Sequence, residues 1–89
     1  MSFNGYLKYS QAMGMHYFKE QNFSKAMPHF KVIVDYYPMR IGKYHAYLGV
    51  CYFYTDNIEK CIFHYQEAQK IIPNDHNIKK LELLLKGHK

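Results

Sequence analysis

The sequence is poor in several residue types and has no long apolar segment. Its 89 residues include no tryptophan, only two cysteines and three prolines. No run of about eighteen apolar residues occurs, so we expect no membrane insertion. The N-terminus has no apolar stretch behind basic residues, which argues against a secretory signal. Two cysteines seldom make a disulfide framework. A cytoplasmic protein with reduced thiols is favoured, with a Cys51–Cys61 disulfide as the alternative.

The residues that could carry metal or catalytic chemistry do not form a convincing site. No His-x-x-x-His or Cys-x-x-Cys spacing occurs, and a zinc site needs four converging ligands. Cys61 and His64 lie one helical turn apart, but a catalytic thiol must be exposed and activated by a base. We therefore predict no enzyme activity, no metal and no cofactor. The six histidines are His16, His29, His45, His64, His76 and His88.

The chain repeats its own pattern after 35 positions. A repeat of this length is typical of stacked helical units. The first copy consists of Ser10, Met13, Gly14, Tyr17, Ala26, Phe30, Ile33 and Pro38. The second consists of His45, Leu48, Gly49, Tyr52, Cys61, Tyr65, Ala68 and Pro73. Apolar side chains at helical spacing indicate that these positions are mainly packing.

The order of residues in each copy resembles the tetratricopeptide repeat, a helix–turn–helix unit. Met13-Gly14-x-x-Tyr17 and Leu48-Gly49-x-x-Tyr52 carry the resemblance, which covers about residues 7–76. The sequence departs from the family in having Ser10 and His45 where a Trp is usual, Cys61 in place of Ala, and a period one residue longer. The resemblance implies an all-α fold, a segment of a right-handed superhelix built from helical hairpins.

The pattern predicts one domain with five helices. We expect helices over about residues 4–20, 23–37, 40–54, 58–72 and 77–87. The domain spans 1–89, with a first repeat at about 7–41, a second at about 42–76 and a capping helix at about 77–87. Asn22 or Ser24 is expected to cap the second helix. Pro38 and Pro73 should close the second helix of each pair, and Gly87 should follow the fifth helix as a stop.

Glycine and proline inside the predicted helices carry packing expectations. Gly14 and Gly49 lie within helical patterns, where Gly costs about 1 kcal/mol relative to Ala. A helix tolerates this cost where another backbone approaches closely, so the small residues Ala26 and Cys61 are expected to face the glycines. Pro28 is expected near the first turn of its helix, where proline is better tolerated.

The family resemblance implies a binding groove lined by the first helix of each pair. Such a groove would have apolar and aromatic side chains in its middle and lysines at its edges, which suits a peptide or amphipathic helix of an acidic partner. The alternative is that Phe18 and Phe53 only pack on neighbouring helices. The implied groove residues are Lys8, Gln11, Met15, Phe18, Lys19, Lys43, Ala46, Tyr47, Val50, Phe53 and Tyr54.

The groove composition narrows the expected function to an adaptor, assembly factor or small chaperone. Some family members clamp a partner's terminal carboxylate with polar and basic side chains. The corresponding positions here carry Gln11, Met15 and Tyr47, and only Lys43 is basic, so we do not predict chaperone-tail binding. The first repeat has no helix covering its outer face, which makes self-association through that end a further expectation.

The positive charge supports a rival function. The net charge is +5, and basic residues among aromatics can bind single-stranded nucleic acid. Lysines on helices are usually only solvated, and Arg40 is the only arginine, so this function is less favoured than protein binding. Basic side chains are densest near the C-terminus, at Lys79, Lys80, Lys86, His88 and Lys89.

Overall fold

The computed structural model describes residues 3–37 and 41–88, and it folds them into five helices with no strand among them. The helices are α1 (Phe3–Lys19), α2 (Phe23–Tyr36), α3 (Ile41–Tyr54), α4 (Ile58–Ile71) and α5 (His76–Gly87). The predicted all-α class is confirmed. The predicted ends of the helices agree with these bounds to within a residue or so. Pro38 and Arg40 lie outside the described residues, so the expected closure of α2 by Pro38 stays a prediction.

Asparagine caps begin the second helix of each hairpin. The side chain of Asn22 accepts a hydrogen bond from the backbone N–H of Lys25, at 3.4 Å. Asn57 does the same for Lys60, at 3.2 Å. Each cap satisfies one of the backbone donors that a helix N-terminus leaves unpaired. Of the two predicted caps of α2, Asn22 is therefore the correct one, and Ser24 lies inside the helix.

The turns before these caps have the same left-handed geometry. Gln21 has a φ of 60° and Asp56 has a φ of 64°. In the first turn, the N–H of Gln21 donates to the carbonyl of Phe18, and the N–H of Asn22 donates to that of Tyr17, at 3.0 and 2.8 Å. This is the Schellman pattern, in which a left-handed residue ends a helix. The second turn repeats these bonds 35 positions later.

These turns predict a stabilising substitution. A left-handed φ costs a residue with a Cβ roughly 1 kcal/mol, and glycine avoids this cost. Gln21→Gly should therefore raise the free energy of unfolding by about 0.5–1 kcal/mol in urea titrations. Asp56→Gly should gain less, because aspartate tolerates this region better. The control Lys19→Gly, at a helical position, should be destabilising. A loss of stability in Gln21→Gly would contradict the turn geometry.

Helix α3 forms the centre of the fold. It packs against α2, α4 and α5, and residues 44–52 are all buried. A helix buried on all sides is an internal helix, not a surface one. Helix α5 lies on α3 and α4, where a capping helix was expected. The core residues without exposed surface include Ala26, Phe30 and Ile33 of α2, Leu48, Val50 and Cys51 of α3, Cys61 and Ala68 of α4, and Ile78 and Leu81 of α5.

The helical glycines permit close packing, but partly against other residues than expected. A Cβ on Gly14 would lie 2.6 Å from the ring of Phe30. A Cβ on Gly49 would lie 2.8 Å from a methyl group of Leu81, and 3.6 Å from the backbone oxygen of Cys61. At Gly14 the Phe30 ring comes nearest, and the expectation that Ala26 faces this glycine stays a prediction. Cys61 does approach Gly49, with its backbone.

Pro28 lies just past the first turn of α2, close to where the sequence placed it. It is the sixth residue of α2. Proline has no N–H for the carbonyl four residues earlier, which belongs to Ser24. Both residues are exposed, so water can hydrogen-bond this carbonyl. The helix continues to Tyr36 in spite of the proline.

Candidate functional site

The predicted binding residues of α1 lie on one side of that helix. They recur at spacings of three and four residues, which place side chains on the same face. Lys8 and Lys19 are exposed at the ends of this stripe. Gln11, Met15 and Phe18 are half-buried between them, and Met15 and Phe18 also pack against the core. All five therefore keep surface that a partner can reach.

The predicted residues of α3 divide between core and surface. Val50 is fully buried and Tyr47 is only 7% exposed, so assigning these two to the binding surface was wrong. The physical reason is the central position of α3, which leaves most of its length covered by α2, α4 and α5. Lys43 and Tyr54 are exposed, and Phe53 is half-buried. Ala46, which the groove also included, is fully buried.

Four aromatic rings connect the surface residues of the two repeats. Phe18 meets Phe23 edge-on, with ring centroids 5.6 Å apart. Phe23 stacks on Tyr54 at 4.7 Å with an interplanar angle of 12°. Tyr54 in turn contacts Phe53 edge-on at 5.3 Å. We call Phe18, Phe23, Phe53 and Tyr54 the aromatic cluster. Edge-on and stacked pairs at these distances are favourable ring arrangements.

Phe23 is the functional candidate that the sequence analysis missed. It is the first residue of α2, and the groove was expected to come from the first helix of each pair. The short turn after α1 returns the chain beside its last turn, so that Phe23 bridges Phe18 and Tyr54. The available signal was the sequence Asn22-Phe23, an aromatic residue directly after a capping residue.

An open cavity and several cations lie beside the aromatic cluster. The cavity has a volume of about 280 Å³ and is lined by Gln21, Phe23, Tyr54 and Lys80. Lys80 brings a positive charge from α5 that the predicted groove did not include. The ammonium of Lys43 lies 5.7 Å from the centre of the Tyr47 ring, within cation–π range. The site is thus aromatic with lysines close by.

The two thiols are unsuited to nucleophilic chemistry. Cys51 and Cys61 are both free and buried. Burial raises the pKa of Cys51 to about 12 and that of Cys61 to about 11. Because the thiolate is the reactive form, neither residue is an activated nucleophile at neutral pH.

The described residues offer neither a metal site nor a membrane-spanning helix. Within 3–37 and 41–88, no three or more His, Cys, Asp or Glu side chains are grouped so that they could hold a metal ion. Among the helices of those same residues, none has the length and hydropathy needed to cross a membrane.

Comparison with known proteins identifies the second repeat. The family model of the tetratricopeptide repeat matches residues 42–75, which contain α3 apart from its first residue, the Asn57 turn and α4. Neither the comparison with curated proteins nor that with solved structures gives a match. Repeats of this family generally act as non-catalytic modules for protein–protein interaction. Residues 42–75 thus match the tetratricopeptide-repeat family, and the five-helix fold of the described residues fits a protein built from such repeats.

Proposed function

We propose that this chain is a cytoplasmic adaptor, assembly factor or small chaperone that binds a segment of another protein on the aromatic cluster. The segment is a peptide or amphipathic helix with apolar side chains and net negative charge. The observation that carries the proposal is the connection of partly exposed rings across both repeats, from Phe18 through Phe23 to Tyr54. The membership of residues 42–75 in an interaction family supports it.

The rings of the cluster are well suited to hold a partner. Aromatic side chains are enriched at protein interfaces and often contribute most of the binding free energy. Tyr54 is 47% exposed but already stacked on Phe23. Because the stack restrains the ring, binding loses less side-chain entropy than it would with a freely rotating side chain.

Exposed lysines of α1, α3 and α5 favour an acidic partner. Lys8, Lys19, Lys43 and Lys80 are all exposed, and the chain as a whole carries a net charge of +5. Charges of this kind mainly increase the rate of association and select partners of opposite sign. Added salt should therefore slow association more than it speeds dissociation.

The proposal predicts that Tyr54→Ala weakens partner binding at least tenfold while leaving thermal stability nearly unchanged. Tyr54 is a better test than Phe53, because Phe53 also packs against the core. The partner would be isolated on the tagged chain from lysate treated with nuclease, and its affinity for each purified variant measured by calorimetry. The matched control is Phe63→Ala, which removes a 54% exposed ring from α4 outside the cluster.

Three results would contradict the proposal. Equal loss of affinity in Tyr54→Ala and Phe63→Ala would show that the aromatic cluster is not the site. Capture that disappears on nuclease treatment, together with binding of a labelled oligothymidylate, would favour the single-stranded nucleic-acid function. If the melting temperature of Tyr54→Ala falls so far that the variant is partly unfolded in the binding assay, the loss of affinity reflects lost stability. Tyr54 would then be a packing residue.

Self-association through the first repeat stays a prediction. Tyr6 and Tyr9 of α1 are both exposed, which leaves aromatic surface on that repeat. This surface is separate from the proposed site on the aromatic cluster.

A further inference from the structure

A pair of histidines joins the two helices of the second repeat. The Nδ1 atom of His45 in α3 lies 2.8 Å from the Nδ1 atom of His64 in α4. His45 is only 5% exposed. At this distance one Nδ1 donates the hydrogen bond and the other accepts it. Two protonated Nδ1 atoms cannot face each other in this way, so the contact requires that at least one imidazole be neutral.

The surroundings of His64 recur in the first repeat, but its histidine partner does not. His64 stacks on Tyr52 at 5.4 Å and 8°, and Tyr17 and His29 stack at 6.0 Å and 18° in the equivalent place. A lysine lies over each tyrosine ring, at 5.6 and 5.7 Å. The position equivalent to His45 is Ser10. The first repeat therefore provides an internal control for the pair.

The charges around the pair come from α2 and α4 as well as from the pair itself. The pKa of His64 is lowered to about 4, chiefly by burial, and the neighbouring His45 and Lys60 act in the same direction. Glu67 and Asp35 raise that pKa, but the net shift is still downward. Burial also lowers the pKa of His45, against the effect of Glu67. The open cavity beside His64 adds Lys31, Glu59, Tyr52 and Phe63 to its surroundings.

We propose that the His45–His64 pair is a pH-sensitive contact, which holds α3 against α4 at neutral pH and loosens the second repeat in mild acid. Histidines in the unfolded chain have a pKa of about 6.5. Since folding lowers the pKa of this pair, the unfolded state binds more protons between about pH 6.5 and pH 4. The stability from the neutral pair is therefore complete above about pH 6.5 and is lost as the pH falls toward 4.

The test is thermal unfolding, followed by circular dichroism between about pH 7.5 and pH 5, where most carboxylates stay ionised. Chelator is present, so that a bound metal ion cannot account for the result. The melting temperature of the wild type should fall by about 10 °C over this range. His64→Gln should show less than half of this fall, because its amide can still hydrogen-bond to His45 without titrating. The control His29→Gln should keep the full fall.

Either of two results would overturn the proposal. One is a melting temperature of the wild type that does not change over this range. The other is a fall that His29→Gln reduces as much as His64→Gln does. If His64→Gln does not fold, the imidazole Cε1–H signals of the wild type are titrated by NMR instead. Two of the six histidines should then titrate well below the ordinary range, and the absence of two such signals would equally refute the proposal.

Discussion

Replacing Phe30 with alanine should remove a large share of the stability of the domain. Phe30 has no exposed surface, and its ring lies 5.1 Å from that of Tyr47, 5.7 Å from Tyr44 and 5.8 Å from Phe18. Removing a buried phenylalanine costs about 3–5 kcal/mol. A domain of this size has a total stability of only about 4–13 kcal/mol. We expect a loss of this size in urea unfolding followed by circular dichroism.

The matched control is Phe63→Ala, which removes the same atoms from an exposed ring. Its free energy of unfolding should change by less than about 0.5 kcal/mol, as is usual for surface positions. Similar losses in the two variants would mean that Phe30 is not the centre of the first repeat's core. In that case its close approach to Gly14 would also be in doubt.

Gly49→Leu should push α5 away from α3 and destabilise the domain strongly. A Cβ at this position already lies 2.8 Å from a methyl group of Leu81, and a leucine adds three further carbons in the same direction. Overpacking of a buried site costs about 1–3 kcal/mol, and more where a helix must move. We expect a melting temperature at least about 10 °C below that of the wild type, measured by circular dichroism.

Two further glycine variants show whether the cause is steric. Gly49→Ala should be close to neutral, because only the flexible end of Leu81 has to shift and alanine favours the helix. At Gly87→Leu a Cβ meets nothing within 4 Å, so stability should hardly change. A Gly49→Leu variant that melts like the wild type would show that the packing of α3 on α5 is wrong.

The helical architecture could be predicted from sequence because its signals are local. The Asn22 cap and Pro73 lie within a few residues of the helix boundaries they set, and the 35-residue repeat carries the same signals to the second hairpin. The prediction was weaker where contacts between residues far apart in the sequence determine the packing. The approach of the Phe30 ring to Gly14 depends on how the chain packs, which spacing alone does not specify.

The candidate site was harder to predict, because burial depends on the whole fold. Val50 is the counterpart of the half-buried Met15, yet Val50 is fully buried because α3 is covered by three helices and α1 is not. Phe23 was missed because a turn brings it to a surface expected from other helices. The contact between His45 and His64 crosses from one helix to another, and no local pattern reveals such a distance.

Helix α3 carries both the histidine pair and the aromatic cluster, with His45 near its start and Tyr54 at its end. The two residues are about 14 Å apart along the helix axis, at 1.5 Å per residue. The two sites are therefore thermodynamically linked if both proposals hold. By mass action, a partner bound at Tyr54 would stabilise the folded chain, so that the second repeat would loosen only at a lower pH. Protonation at His45 would weaken that partner's binding by the same free energy, since such coupling is reciprocal.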